Sequence, residues 1–94
     1  MNLETFEQPR AGRTFRYILS DGVELMRSRA FVNGQLIYTN DCPDPPCHEE
    51  FIVPANAGGG TLRIIGEDTS GRTIDRIFNI LDERSSGGFS AVGG

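Results

Sequence analysis

The run Cys42-Pro43-Asp44-Pro45-Pro46-Cys47-His48-Glu49-Glu50 holds both cysteines, the only histidine and three carboxylates of the chain. Three kinds of chemistry are open to such a cluster. The two thiols, with four residues between them, can close a disulfide that clips the loop, which suits an oxidising compartment. They can also stay as two isolated thiols in a reducing one. A zinc site would need two further soft ligands beyond Cys42 and Cys47, and His48 supplies one imidazole only. A disulfide is the preferred reading, ahead of free thiols, with metal third. As a catalytic base, His48 would need a nucleophile, and no glycine-flanked serine elbow occurs. His48 therefore reads as an exposed residue beside a clip.

Neighbouring carboxylates occur at Glu49-Glu50, Glu67-Asp68 and Asp82-Glu83. Adjacent residues of a strand point to opposite faces, so such a pair does not make a catalytic dyad by itself. Solvated surface charge is the preferred reading. Glu67, Asp68 and Asp75 could converge at one end of a hairpin, where calcium would be the natural cation. Their spacing does not match a calcium loop, and no metal site or cofactor is assigned. Gly58-Gly59-Gly60 lacks the lysine and helix of a phosphate loop and reads as a linker. Nothing positive points to an enzyme.

The elements that must carry these side chains are strands. Leu62, Ile64 and Gly66 alternate with Thr61, Arg63 and Glu67, the period of a half-buried strand. Glu67 to Arg72 is rich in turn formers. Asp68 can accept from the backbone two residues on, and Gly71 can adopt the positive φ that ends a type I turn with a bulge. Ile74, Phe78 and Ile80 then share a face that Arg76 interrupts, by a bulge or because both faces are partly covered. Upstream, Phe15, Tyr17 and Leu19 alternate, as do Met26, Ser28, Ala30 and Val32, with Phe31 on the opposite side. Asn33-Gly34 is a strong type I′ hairpin signal, and Leu36 to Tyr38 forms the returning strand. Thr39 to His48 reads as a proline-rich loop, Phe51 and Val53 as one face of a short strand, and Leu3 and Phe6 as part of an edge strand ahead of Pro9.

About seven short strands separated by turns, with no capped helix, make an all-β sandwich of two antiparallel sheets. The expected core is Tyr17, Leu19, Ala30, Val32, Phe51, Val53, Leu62, Ile64, Phe78 and Ile80. Ninety-four residues at 37% hydrophobic suffice for one small domain, placed at residues 1–82, followed by a disordered Gly/Ser-rich tail at 83–94. Nine arginines, no lysine and a net charge of −4 argue against nucleic acid, because phosphate neutralisation needs clustered cations and these arginines are scattered along the chain. No apolar run reaches membrane-spanning length, so no membrane insertion is expected.

Three stretches resemble bacterial immunoglobulin-like modules, including fibronectin III-like ones: Arg27 to Gln35 as a strand, Asn-Gly, strand hairpin; Phe51 to Pro54 followed by a glycine-rich link; and Gly60 to Gly71 as the penultimate strand with its closing turn. The resemblance covers Pro9 to Leu81. Without a core tryptophan or a cysteine pair spanning the two sheets, the chain departs from antibody-type domains. The resemblance implies a non-enzymatic accessory domain of an exported bacterial protein, at the cell surface, outside the cell or in the periplasm, serving as a spacer or as a protein- or glycan-binding module. An isolated domain is expected to be monomeric.

Proline and a short disulfide would preorganise the loop Asn40 to His48, which lowers the entropy lost on binding. Asp41, Asp44, Pro45 and His48 are the candidate contacts to a protein or glycan partner. A second reading rests on the terminal Gly93-Gly94, which resembles the end of ubiquitin-like carrier proteins. That fold requires a helix after its first hairpin, where Gly12 to Val32 shows strand alternation.

Overall fold

A computed structural model describes residues 1–82, and the tail assigned to 83–94, with its terminal Gly-Gly, lies outside the described residues. Seven strands are present: β1 Asn2–Thr5, β2 Thr14–Ser20, β3 Met26–Val32, β4 Gln35–Cys42, β5 Cys47–Ile52, β6 Thr61–Asp68 and β7 Thr73–Asn79. They form an antiparallel three-stranded sheet, β1-β2-β5, and an antiparallel four-stranded sheet, β4-β3-β6-β7. This is the expected all-β, two-sheet sandwich. Residues 14–20 and 26–32, where a carrier fold needs its helix, are both strand.

The alternation seen in the sequence sets which face each strand buries. Phe15, Tyr17 and Leu19 of β2 meet Met26, Ala30 and Val32 of β3 and Leu62 and Ile64 of β6, with Cys47, Val53, Ala57, Ile74 and Ile80 completing the core. Phe51 and Phe78, expected inside, are partly buried and pack against this cluster. Phe15 lies between the rings of Phe51 and Phe78, with centroids 5.9 and 5.8 Å away. Gly66 occupies an inward position, where an added Cβ would come within 3.1 Å of Leu19 and Ile74. Its small size lets the two sheets close at that point.

The hairpins follow the turn chemistry. Asn33 (φ 51°) and Gly34 (φ 83°) both take the positive angles of a two-residue type I′ loop. Past this turn β4 carries a bulge opposite Ala30 and Phe31, so Ala30 faces Tyr38 while Phe31 faces Leu36. The register of β6 with β7 is unbroken from Glu67–Thr73 to Thr61–Asn79, so no bulge explains Arg76. Arg76 is tolerated in the inward-facing row because β7 is an edge strand, where the side chain reaches water.

The N-terminal segment changes sheets. β1 pairs with β2 as far as Thr5–Tyr17. The chain then crosses at the buried Pro9, and Arg10 forms a parallel bridge with Leu81, just beyond β7. Leu81 N–H donates to Pro9 O and Ala11 N–H to Leu81 O, both at 2.9 Å.

Candidate functional site

The proline-rich loop is shorter than the sequence predicts. β4 continues through Asn40 and Asp41 to Cys42, and β5 begins at Cys47, which leaves 43–46 as the connection, with a cis Pro45–Pro46 bond. Cys42 and Cys47 form the expected disulfide. The topology gives it a role that spacing alone did not show. β4 is an edge of the four-stranded sheet and β5 an edge of the three-stranded sheet, so the short clip does span the two sheets. The expectation that no cysteine pair crosses the sandwich is thereby corrected.

The four candidate contact residues do not form one surface. Asp44 is exposed and Pro45 half-buried, together in the loop. Asp41 lies on the outer face of the four-stranded sheet, bound by the Arg27 guanidinium at 2.8 and 3.2 Å. That pair holds the Asp41 carboxyl below its usual range, chiefly through the hydrogen bond. His48 is exposed on the outer face of the three-stranded sheet, opposite Ile18. Adjacent strand residues point oppositely, and β4 and β5 belong to different sheets, so Asp41 and His48 face away from each other.

The paired carboxylates split in the same way, and one member of each strand pair is buried, contrary to the surface reading. Glu49 points inward while Glu50 faces solvent beside Arg16. Glu49, 4% exposed, accepts from Tyr38 Oη at 2.6 Å and from Asn40 Nδ2 at 3.1 and 3.2 Å. Both donors belong to β4, so this carboxylate joins the sheets next to the disulfide. Burial, then the bond to Glu49, pushes the Tyr38 phenol up to about 12. Burial likewise raises Tyr17, whose hydroxyl is hydrogen-bonded to Ser28 Oγ between β2 and β3. These phenols hold their protons through the neutral range, and their hydrogen bonds fasten one sheet to the other.

Asp68, 6% exposed, organises the loops at the end of the sandwich that also carries the disulfide, in one row with Met26 and Cys42. Its Oδ1 accepts from Ser70 N–H at 2.9 Å, Ser70 Oγ at 2.6 Å and Arg72 N–H at 3.1 Å. Its Oδ2 accepts from Val23 N–H at 2.9 Å and Arg72 Nε at 3.2 Å. Gly71, at φ 90°, ends the type I turn, as its position in the sequence required. The Ser70 hydroxyl, aided by the backbone N–H groups of Val23, Arg72 and Ser70, overcomes the effect of burial and holds the Asp68 carboxyl far below the ordinary range. Val23 lies in the β2–β3 connection, so one carboxylate ties two loops together. Thr69 Oγ1, donating to Val23 O at 2.9 Å, adds a second tie.

Glu67, Asp68 and Asp75 do not converge on a cation position. Glu67 pairs with Arg29 and Asp75 with Arg63 on the outer face, while Asp68 points inward. What the sequence reading missed, the inward carboxylate at Glu49 and its partner Tyr38, had a signal: Glu49 shares the period of two with Phe51 and Val53, and Cys47 carries it back into the stretch read as loop. Comparisons with protein-family models, curated proteins and solved structures found no match.

Proposed function

We propose that this chain is a non-enzymatic immunoglobulin-like module of an exported or cell-surface bacterial protein, acting as a spacer or as a protein- or glycan-binding domain. The observation that carries the reading is the Cys42–Cys47 disulfide set between the edge strands of two sheets. A disulfide in that place suits folding in an oxidising compartment. The strand order adds support. β4 lies beside β3 and not beside β5, which favours a fibronectin III-like arrangement over the constant-type antibody order. Most polar side chains with chemical potential are also engaged in joining strands or loops, as a framework module requires.

For a binding role, the exposed tip at Asp44 and Pro45 is the best-placed part of the clipped loop, held between two strand ends. Intact mass with and without reductant, on protein recovered from the bacterial periplasm, tests the compartment. A gain of two hydrogens on reduction is expected, and no gain would remove the main support for export. Asp44→Ala and His48→Ala, assayed separately for capture of protein and glycan partners, test the loop. Loss with Asp44→Ala alone is expected of a binder, because His48 lies on another face. Unchanged capture by both variants would leave the spacer role.

A further inference from the structure

The nine arginines are scattered in the sequence, but the fold gathers three of them. Arg10, Arg13 and Arg16, with Glu7, Gln8, Gly12 and Thr14, line a polar groove of about 540 Å³ where the β1–β2 connection passes over the start of β2. Two features of the backbone form it. The Arg13 N–H donates to Arg10 O at 3.1 Å, which turns the chain and brings these two arginines close together. β1 ends at Thr5, opposite Tyr17, because the chain leaves for the other sheet at Pro9. Thr14 to Arg16 therefore keep β5 as a strand neighbour on one side and have no β1 pairing on the other. The groove combines guanidinium groups with a strand edge.

We infer that this groove binds an oxyanion, a carboxylate or sulfate group, carried by a small ligand of low total charge. Arg16 is steadied by Glu50 across the sheet at 3.6 Å, and Arg10 and Arg13 are engaged within the chain. A guanidinium has five donors in a planar fork, so one that already has a partner still offers donors to a second acceptor. The net charge of −4 disfavours an extended polyanion, whose further charges would meet a negative protein. A single acidic group, as on an acidic sugar, meets three guanidinium groups against two carboxylates, Glu7 in the groove wall and Glu50 beside Arg16, a net positive local field. This site is separate from the clipped loop and does not depend on whether that loop binds.

The test is an NMR titration of the ¹⁵N-labelled full chain, following the arginine Nε–Hε signals at constant ionic strength. Sodium sulfate, sodium glucuronate and sodium chloride serve as probes. Saturable shifts confined to Arg10, Arg13 and Arg16 with sulfate or glucuronate, and none with chloride, are expected. Arg13→Gln or Arg16→Gln, each with an unchanged backbone spectrum, should raise the half-saturation concentration about tenfold, the loss of one charged hydrogen bond. Tighter saturation by glucuronate would assign the anion to a sugar, and equal saturation by sulfate to a free oxyanion. Shifts that never saturate, that appear equally at Arg27, Arg29 and Arg63, or that persist unchanged in both variants would overturn the site.

Discussion

Among the described residues two carboxylates are buried, and they are held in opposite ways. Asp68 takes its donors from the turn that follows it and from one nearby loop, mostly backbone N–H groups. Glu49 takes its donors from the side chains of Tyr38 and Asn40 on the strand before it, across the gap between sheets. Backbone donors are fixed by the turn, whereas side-chain donors exist only once the sheets have docked. Asp68 is thus bound to local geometry and Glu49 to tertiary assembly.

The largest effect is expected at Asp68. Asp68→Ala strands the N–H groups of Val23, Ser70 and Arg72 in a closed site and should cost about 3–4 kcal/mol in urea denaturation. A loss below about 1 kcal/mol, the level of an ordinary net hydrogen bond, would show that water replaces the carboxylate freely. The same residue governs behaviour in acid. Its folded pKa is depressed, so its contribution is complete above the ordinary aspartate value of about 4 and fades as pH falls below it. Asp68→Asn should lessen the difference in stability between neutral and strongly acidic solution.

The β4–β5 edge should respond less. Replacing Cys42 and Cys47 by serine removes a short closed loop, for which the chain-entropy account gives about 2 kcal/mol. Glu49→Gln keeps one acceptor for Tyr38 and should cost about 1 kcal/mol. Its sharper signature is spectroscopic. Without the neighbouring charge the Tyr38 phenol should titrate below about 12 yet stay above an ordinary tyrosine, since burial is the larger cause. Ultraviolet absorbance of tyrosinate reads this directly, and an unmoved titration would detach Tyr38 from Glu49. The sign is opposite to that of Asp68. A raised phenol contributes stability below the ordinary value of about 10, which is lost as pH rises from there towards 12. Smallest of all, Arg63→Gln breaks an exposed pair with Asp75 and should change stability by about 0.5 kcal/mol or less in the same urea measurement.

The contrast also explains what could be read in the chain. The Asp68 turn and the Asn33-Gly34 hairpin were legible because their determinants lie within five residues of each other. Most of the core followed from a period of two. Glu49 opens the short strand read as Glu49 to Pro54, but as one of an acidic pair it was read as solvated charge, and only its partners Tyr17 and Tyr38 require it to point inward. The same limit hid the arginine groove. Arg10, Arg13 and Arg16 are unremarkable along the sequence, and their meeting depends on β1 stopping at Thr5 and the chain changing sheets at Pro9. The candidate loop was half legible: Asp44 and Pro45 stay together, while Asp41 and His48 are separated by a topology that spacing does not encode.

The parallel bridge between Arg10 and Leu81 has a mechanical meaning. Opposing pulls on the two sides of this contact, one toward residue 1 and one toward residue 82, act along the strands. The bonds Leu81 N–H to Pro9 O and Ala11 N–H to Leu81 O are then sheared together and not peeled one at a time. Gln8 Nε2 to Asn79 O, and the exchange between Ile80 and the Gly59-Gly60 backbone, anchor the same segment sideways. A module placed in series with others would, once the β1–β2 pairing had taken its load, meet tension at this seam before it reached β6, β3 or the disulfide edge.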